Sequence, residues 1–155
     1  MVKISLCMIT KNEEGFIEKS LDSVKDLVSE IIIADSNSSD RTLEIAKKFK
    51  ARIFQYEWEN DFSKARNFSI SKATGEWILV LDADETISRK DVSRIKEALD
   101  SIQADAFSFI QRNYTDNENL HNFVPGEKDK YQEAKHFKGH QAVPSVRLFR
   151  NDKRI

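Results

Sequence analysis

The 155-residue chain reads as an α/β domain built on a mainly parallel sheet. Three observations lead there. Short apolar, β-branched runs alternate with segments of helical periodicity over the first hundred residues, the pattern of strands joined by crossover helices. Three of those runs end in polar, acid-rich clusters: Thr10–Glu13, Asp35–Asp40 and Asp82–Glu85. In parallel sheets ligands bind beyond the C-terminal strand ends, so the three clusters define one rim.

Taken in order, "KISLCMIT" (3–10) is a short buried strand. Phe16, Ile17, Leu21, Val24 and Leu27/Val28 then recur at helical spacing, with Asn12 placed to cap that helix. "EIIIADS" (30–36) is a second strand; "SSDRTLEIAKKF" opens on cap-type residues and puts Leu43, Ala46 and Phe49 on one helical face. "ARIFQYEW" (51–58) is a third strand. "DFSKARNFSISKATG" aligns Phe62, Ala65 or Arg66, Ser69 and Ala73 and stops at Gly75, a C-cap glycine. "EWILVLDAD" is a fourth strand, followed by a helix over 89–102 carrying Val92, Ile95, Leu99 and Ile102. Near residue 104 the rhythm changes. "DAFSFIQRNY" (105–114) alternates like a half-buried antiparallel strand, residues 115–142 read as a long polar loop, and "SVRLFRN" (145–151) is a last strand. This divides the chain into a portion 1–103 and a portion 104–155.

Composition narrows the function classes. Hydrophobic content of 39% and 33% charged residues are globular values, and a formal charge of −1 offers no electrostatic reason to expect nucleic acid as partner. The lone Cys7 excludes an internal disulfide and reads as a packed core thiol. The apolar stretch at the N-terminus is too short for a secretory signal, and no run is long enough for an integral membrane segment, so a cytoplasmic protein is expected.

Chemistry concentrates in a few clusters. With thirteen aspartates in the chain, about one Asp-x-Asp arises by chance, so position decides whether Asp82-Ala83-Asp84 means anything. Strand alternation puts i and i+2 on one side, which lets both carboxylates converge at the rim. Two hard oxygen donors suit Mg²⁺ or Mn²⁺ better than zinc; a solvated turn cap explains them equally well. In "ADSNSSDRT" (34–42), Ser38, Ser39 and Asp40 are ordinary N-caps, whereas Asp35 ends a strand and could accept from a ring N–H. In "SKARN" (63–67), Arg66 could fork onto a phosphate, or Lys64 and Arg66 could be a snorkelling surface pair. The four glycines form neither a dinucleotide fingerprint nor a P-loop. His136 and His140 are four apart with no cysteine nearby, and make weak zinc ligands.

Four ordered blocks, "SLCMITKNEEGFIEKSLDSV", "EIIIADSNSSDRTLEIAKKF", "WENDFSKARNFSISKATGEWILVLDADE" and "SVRLFRN", resemble the family 2 glycosyltransferases of the GT-A fold, in particular bacterial enzymes of cell-envelope and lipopolysaccharide-core assembly. The resemblance implies a Rossmann-like three-layer α/β/α sandwich that binds a nucleotide-diphosphosugar, with a UDP-sugar ranked first. It places Thr10, Asn12 and Glu13 along the base and ribose, and Asp35 against the base. Arg66 falls by the nucleotide or its phosphates, Asp82 at the ribose or metal-bound water, and Asp84 on a divalent cation, Mn²⁺ or Mg²⁺, bridging the diphosphate. It further implies inverting transfer to a glycan or lipid-linked acceptor, peripheral at the inner face of the membrane.

Such a transfer needs a general base near the acceptor hydroxyl. Relatives of this type carry a Val-His-Glu stretch after the last strand, and this chain ends at Ile155 before that point, so a truncated acceptor-side portion is expected. Glu118, Glu127, Asp129 and Glu133 could stand in, with nothing in their spacing to choose among them. The alternative reading is a nucleotide-sugar binding module that lacks the base.

Overall fold

A computed structural model describes residues 2–101 and 103–152, without the side chains of Lys128, Gln132 and Glu133. Two compact units result, 1–105 with 148–155 and 106–147.

The first unit holds β1 (Ile4–Thr10), α1 (Ile17–Val24), β2 (Glu30–Asp35), α2 (Thr42–Lys48), β3 (Arg52–Gln55), α3 (Phe62–Ile70), β4 (Trp77–Val80) and α4 (Arg89–Ser101). Its strand order is β3-β2-β1-β4, all parallel, and the last residues of β7 (Gly139–Arg150) add an antiparallel edge beside β4. The expected mainly parallel sheet with intervening helices is therefore present. Chain order runs outward from β1 to β3 and then jumps back to β4 on the other side of β1. That jump creates a topological switch point between β1 and β4, where the loops after adjacent strands diverge and leave a crevice.

The interior is as apolar as parallel strands covered on both faces require. Leu6, Cys7, Met8, Ile32, Ile33 and Leu79 are sealed from solvent, each contributing about 1.5–3 kcal/mol for the larger apolar side chains. Cys7 packs with Ile32, Ile78 and Val80, and burial pushes its thiol up to about 12. It is a core residue with no nucleophilic character at neutral pH.

Several local expectations are corrected. Asn12 does not cap α1: its backbone is left-handed (φ 56°), and its side-chain oxygen accepts from Ser39 N at 2.8 Å. Phe16 and Phe62, expected on core faces, are exposed, while Ile17 and Ala65 of the same expected stripes are buried. In α2 the buried face is Thr42, Ile45 and Ala46, one residue round from the expected stripe. Gly75 caps no helix, since α3 ends at Ile70 with Ser71 as its C-cap. It lies against β1, where an added Cβ would sit 2.7 Å from Ser5 Oγ and 2.8 Å from Lys3 O, so the position excludes side chains. β3 stops at Gln55 and β4 at Val80, each short of its expected end. α4 buries none of its residues fully; Val92, Ile95 and Leu99 are half-buried and Ile102 lies outside the described residues.

The second unit contains β5 (Ala106–Thr115), β6 (Phe123–Pro125) and the first part of β7, with β6 antiparallel to β7 and β7 bordering β5. The expected 115–142 loop is thus largely structured. Several of its polar residues turn inward on one another. The Asp129 side chain, 1% exposed, lies 3.1 Å from His140 Nδ1 and 3.5 Å from Arg112 Nε, and accepts from Tyr131 N at 3.0 Å. Burial holds His140 below its ordinary pKa, with Asp129 opposing and Arg112 reinforcing. A buried ionic hub of this kind is hidden in a sequence because its members look like solvated loop residues.

Candidate functional site

The site assembles on the first unit's C-terminal strand ends, loop by loop. Thr10, the last residue of β1, donates to Asp35 Oδ1 at 2.9 Å across the β1–β2 pair. Asp35 is fully buried, and its other contacts come from Ser38 N at 2.8 Å and Ser38 Oγ at 2.5 Å. Three acceptor positions are filled and one remains on a carboxylate that offers about four.

The loop after β1 is stitched to the loop after β2. Asn12 N donates to Ser38 Oγ, Glu13 N to Thr42 Oγ1 at 2.7 Å, and Glu14 N to Asp40 Oδ2. Glu14 returns the contact, accepting from Arg41 N at 3.0 Å. Asp40, just before the α2 N-cap residue Arg41, accepts from Thr42 N. Left-handed asparagines start the rim turns after β1, β2 and β3, at Asn12, Asn37 and Asn60. Each costs about 1 kcal/mol in an L-residue, and asparagine tolerates it best.

Across the switch point, β4 ends at Val80 and delivers Asp82 and Asp84 on a turn closed by Glu85 N to Asp82 O at 3.0 Å. The acids therefore sit past the strand, where Leu81 and Ala83 remain buried, Asp82 is half-buried and Asp84 is exposed. Glu85 folds back to accept from Asp82 N, and Ser20 of α1 donates to Asp82 O. α3 is capped by Asp61, which accepts from Ser63 N and Lys64 N. Its Arg66 donates Nη2 to Asp82 Oδ1 at 2.6 Å, while Nη1 is buried with no hydrogen-bond partner among the described residues. Lys64 is the snorkelling surface cation, paired with Glu59 at 2.7 Å; Arg66 is not.

Electrostatics tie the loops together. Burial, and then the like charges of Asp84, Asp40 and Asp82, push the Glu13 carboxyl above its ordinary value. The fold thus gathers Glu13, Asp82 and Asp84 closely enough to repel, with the half-buried Arg66 guanidinium donating to Asp82. Among the described residues no group of three or more acidic, histidine or cysteine side chains forms a ready-made metal cage. Asp82 and Asp84 are hard oxygen donors of the kind that suits a divalent ion which keeps waters of its own.

Thr10, Asn12, Glu13, Asp35, Arg66, Asp82 and Asp84 all lie on this rim. Reading the sequence missed the stitching residues Glu14, Ser20, Ser38, Asp40 and Thr42. The acid-and-hydroxyl density after β2 was a signal for them, absorbed into the N-cap explanation. Of the stand-in bases, Asp129 is committed to its buried hub, Glu118 pairs with Lys138 at 2.7 Å, Glu127 is exposed, and the Glu133 side chain lies outside the described residues. No helix among the described residues is long and apolar enough to cross a membrane.

The chain is 46% identical over 94 residues to the SPbeta prophage-derived glycosyltransferase SunS of Bacillus subtilis, covering 59% of this chain and 22% of that protein. Staphylococcus aureus TarS 1–349, solved in complex with UDP, superposes with a TM-score of 0.64 at 19% identity, over 96% of this chain and 47% of that one. Mycobacterium tuberculosis glucosyl-3-phosphoglycerate synthase, solved with Mn²⁺, UDP and glucosyl-3-phosphoglycerate, superposes with a TM-score of 0.57 at 24% identity, over 68% of this chain and 42% of that one. These likenesses establish the GT-A fold. The chain spans 22–39% of the length of the curated relatives it matches. Residues 5–153 match glycosyl transferase family 2, and the chain belongs to that family.

Proposed function

We propose that this chain binds a UDP-sugar on the β1/β4 rim and serves its transfer, with inversion, to a glycan or lipid-linked acceptor. The single observation carrying the reading is the Arg66–Asp82 pair at the switch point, with Arg66 Nη1 buried and without a hydrogen-bond partner among the described residues. A buried guanidinium with a spare N–H is a costly feature unless an anionic oxygen completes it. A diphosphate supplies that oxygen.

In this reading Thr10, Asn12 and Glu13 line the base and ribose, and the remaining acceptor position of Asp35 meets a ring N–H of uracil. Arg66 donates to a phosphate oxygen while keeping Asp82 oriented. Asp84 and Asp82 would hold Mn²⁺ or Mg²⁺, which when bound would supply positive charge to the diphosphate leaving group. Glu13 adds negative charge that favours the cation. Two complexes support the donor and metal: TarS with UDP-GlcNAc, and glucosyl-3-phosphoglycerate synthase with Mn²⁺ and UDP.

A thermal-shift screen of UDP-sugars with and without Mn²⁺ tests the reading, because ligands that bind the native state raise its melting temperature. A metal-enhanced shift is expected with at least one UDP-sugar. Absence of any shift with UDP, UDP-glucose and UDP-GlcNAc contradicts it. Binding without transfer or hydrolysis restricts this chain to donor capture.

A further inference from the structure

An exposed aromatic pair occupies the turn after β3. Trp58 is 39% exposed and Phe62 71% exposed, with ring centroids 4.8 Å apart in edge-to-face contact. Two large rings facing water at one spot lose the burial energy such residues ordinarily provide. They are nonetheless held in place. Trp58 Nε1 donates to Asn60 Oδ1 at 3.0 Å, Asn60 is left-handed at φ 57°, and the next residue, Asp61, caps α3. The turn is fixed to the rim by Tyr56 N, which donates to Asp35 O at 2.8 Å.

Phe62 and Arg66 are four apart on α3, so they occupy one face of that helix with Cβ atoms about 5–6 Å apart. Phe62 therefore lies on the helix face that carries Arg66, whose guanidinium meets Asp82. In sequence the pair is flanked by the acids Glu57, Glu59 and Asp61, of which Asp61 caps α3 and Glu59 pairs with Lys64. That charge disfavours a phosphate-bearing or acidic occupant. It favours a neutral polyol, whose C–H face lies on an aromatic ring and whose hydroxyls donate to carboxylates.

We infer that Trp58 and Phe62 form a saccharide-binding platform, the subsite for a neutral sugar of the acceptor, adjoining the donor diphosphate. The inference rests on the proposed glycosyl transfer, and its test separates the two. Trp58 and Trp77 are the only tryptophans in the chain, and Trp77 is 1% exposed, so acrylamide quenching of fluorescence reports Trp58. Maltotriose, cellotriose and chitotriose are titrated at millimolar concentrations, with UDP plus Mn²⁺ as a separate arm followed by calorimetry.

At least one trisaccharide should protect Trp58 from quenching. By calorimetry Trp58→Ala and Phe62→Ala should each weaken that saccharide about tenfold, the scale of one lost aromatic contact, with UDP affinity unchanged within about twofold. Trp58→Phe should retain most of the binding, which separates stacking from a folding defect. Protection by UDP alone, protection by none of the three sugars, or equal saccharide affinity in both alanine variants overturns the platform. Loss of the UDP arm in the unaltered chain overturns the donor reading and leaves the platform standing.

Discussion

The two ends of the same parallel strands treat acidic residues in opposite ways. At the N-terminal end, Glu30 accepts from Ser5 Oγ at 2.6 Å, Thr74 N at 2.6 Å, Thr74 Oγ1 at 2.8 Å and Arg52 Nη1 at 2.7 Å. Burial pushes this carboxyl up, and the hydrogen bonds outweigh it, bringing it down to about 2. One acid there joins β1, β2, β3 and the segment leading into β4. At the C-terminal end, Glu13 is pushed the other way, by burial and by the acids around it. The first end has found its donors within the chain. The second has gathered acids that raise one another's pKa, with the Arg66 guanidinium donating to Asp82.

Breaking the site end has the largest expected effect on binding and a small one on folding. Asp84→Ala should remove the Mn²⁺-dependent part of UDP affinity while leaving the melting temperature within a degree or so, since Asp84 is exposed and anchors no strand. An unchanged calorimetric affinity returns Asp84 to the role of a turn residue.

Breaking the opposite end should do the reverse. Glu30→Ala strands several donors and should lower unfolding free energy by about 2 kcal/mol in urea titrations, with UDP affinity unaltered. A loss of UDP affinity in that variant would show that the two ends are coupled.

Acid sharpens the contrast further. Because the folded pKa of Glu30 is depressed, its stabilisation is present above the ordinary value of 4.5 and fades as pH falls towards about 2. Over that window the unaltered chain should lose more melting temperature than Glu30→Ala. Glu13 has the opposite sign: with a raised folded pKa, its ionisation destabilises the fold as pH rises through that value. Glu13→Gln should therefore give a slight rise in melting temperature at neutral pH together with weaker Mn²⁺ binding.

Much of this was legible in the sequence, for physical reasons that differ by region. β1 and β2 are apolar on both faces and flanked by polar turns, so their runs coincide with their bounds to within a residue or so. The runs ending in Trp58 and Asp84 were over-read, because aromatic and apolar residues continue past the last ladder bond into turns. The rim clusters could be placed from strand ends alone. Their partners could not, since Asp40 to Glu14 or Ser38 to Asp35 are matters of loop path. Least legible was the second unit, where Asp129, His140 and Arg112 are polar residues turned inward, and composition alone assigns such residues to a loop.

The most direct measurement is calorimetric titration of UDP into the unaltered chain with Mn²⁺ and with a chelator in its place. If the rim acids and Arg66 hold a metal-bridged diphosphate, Mn²⁺ raises the affinity by about tenfold or more, as expected when two carboxylates and a phosphate share one ion. Equal affinity in the two titrations, or none in either, contradicts the account.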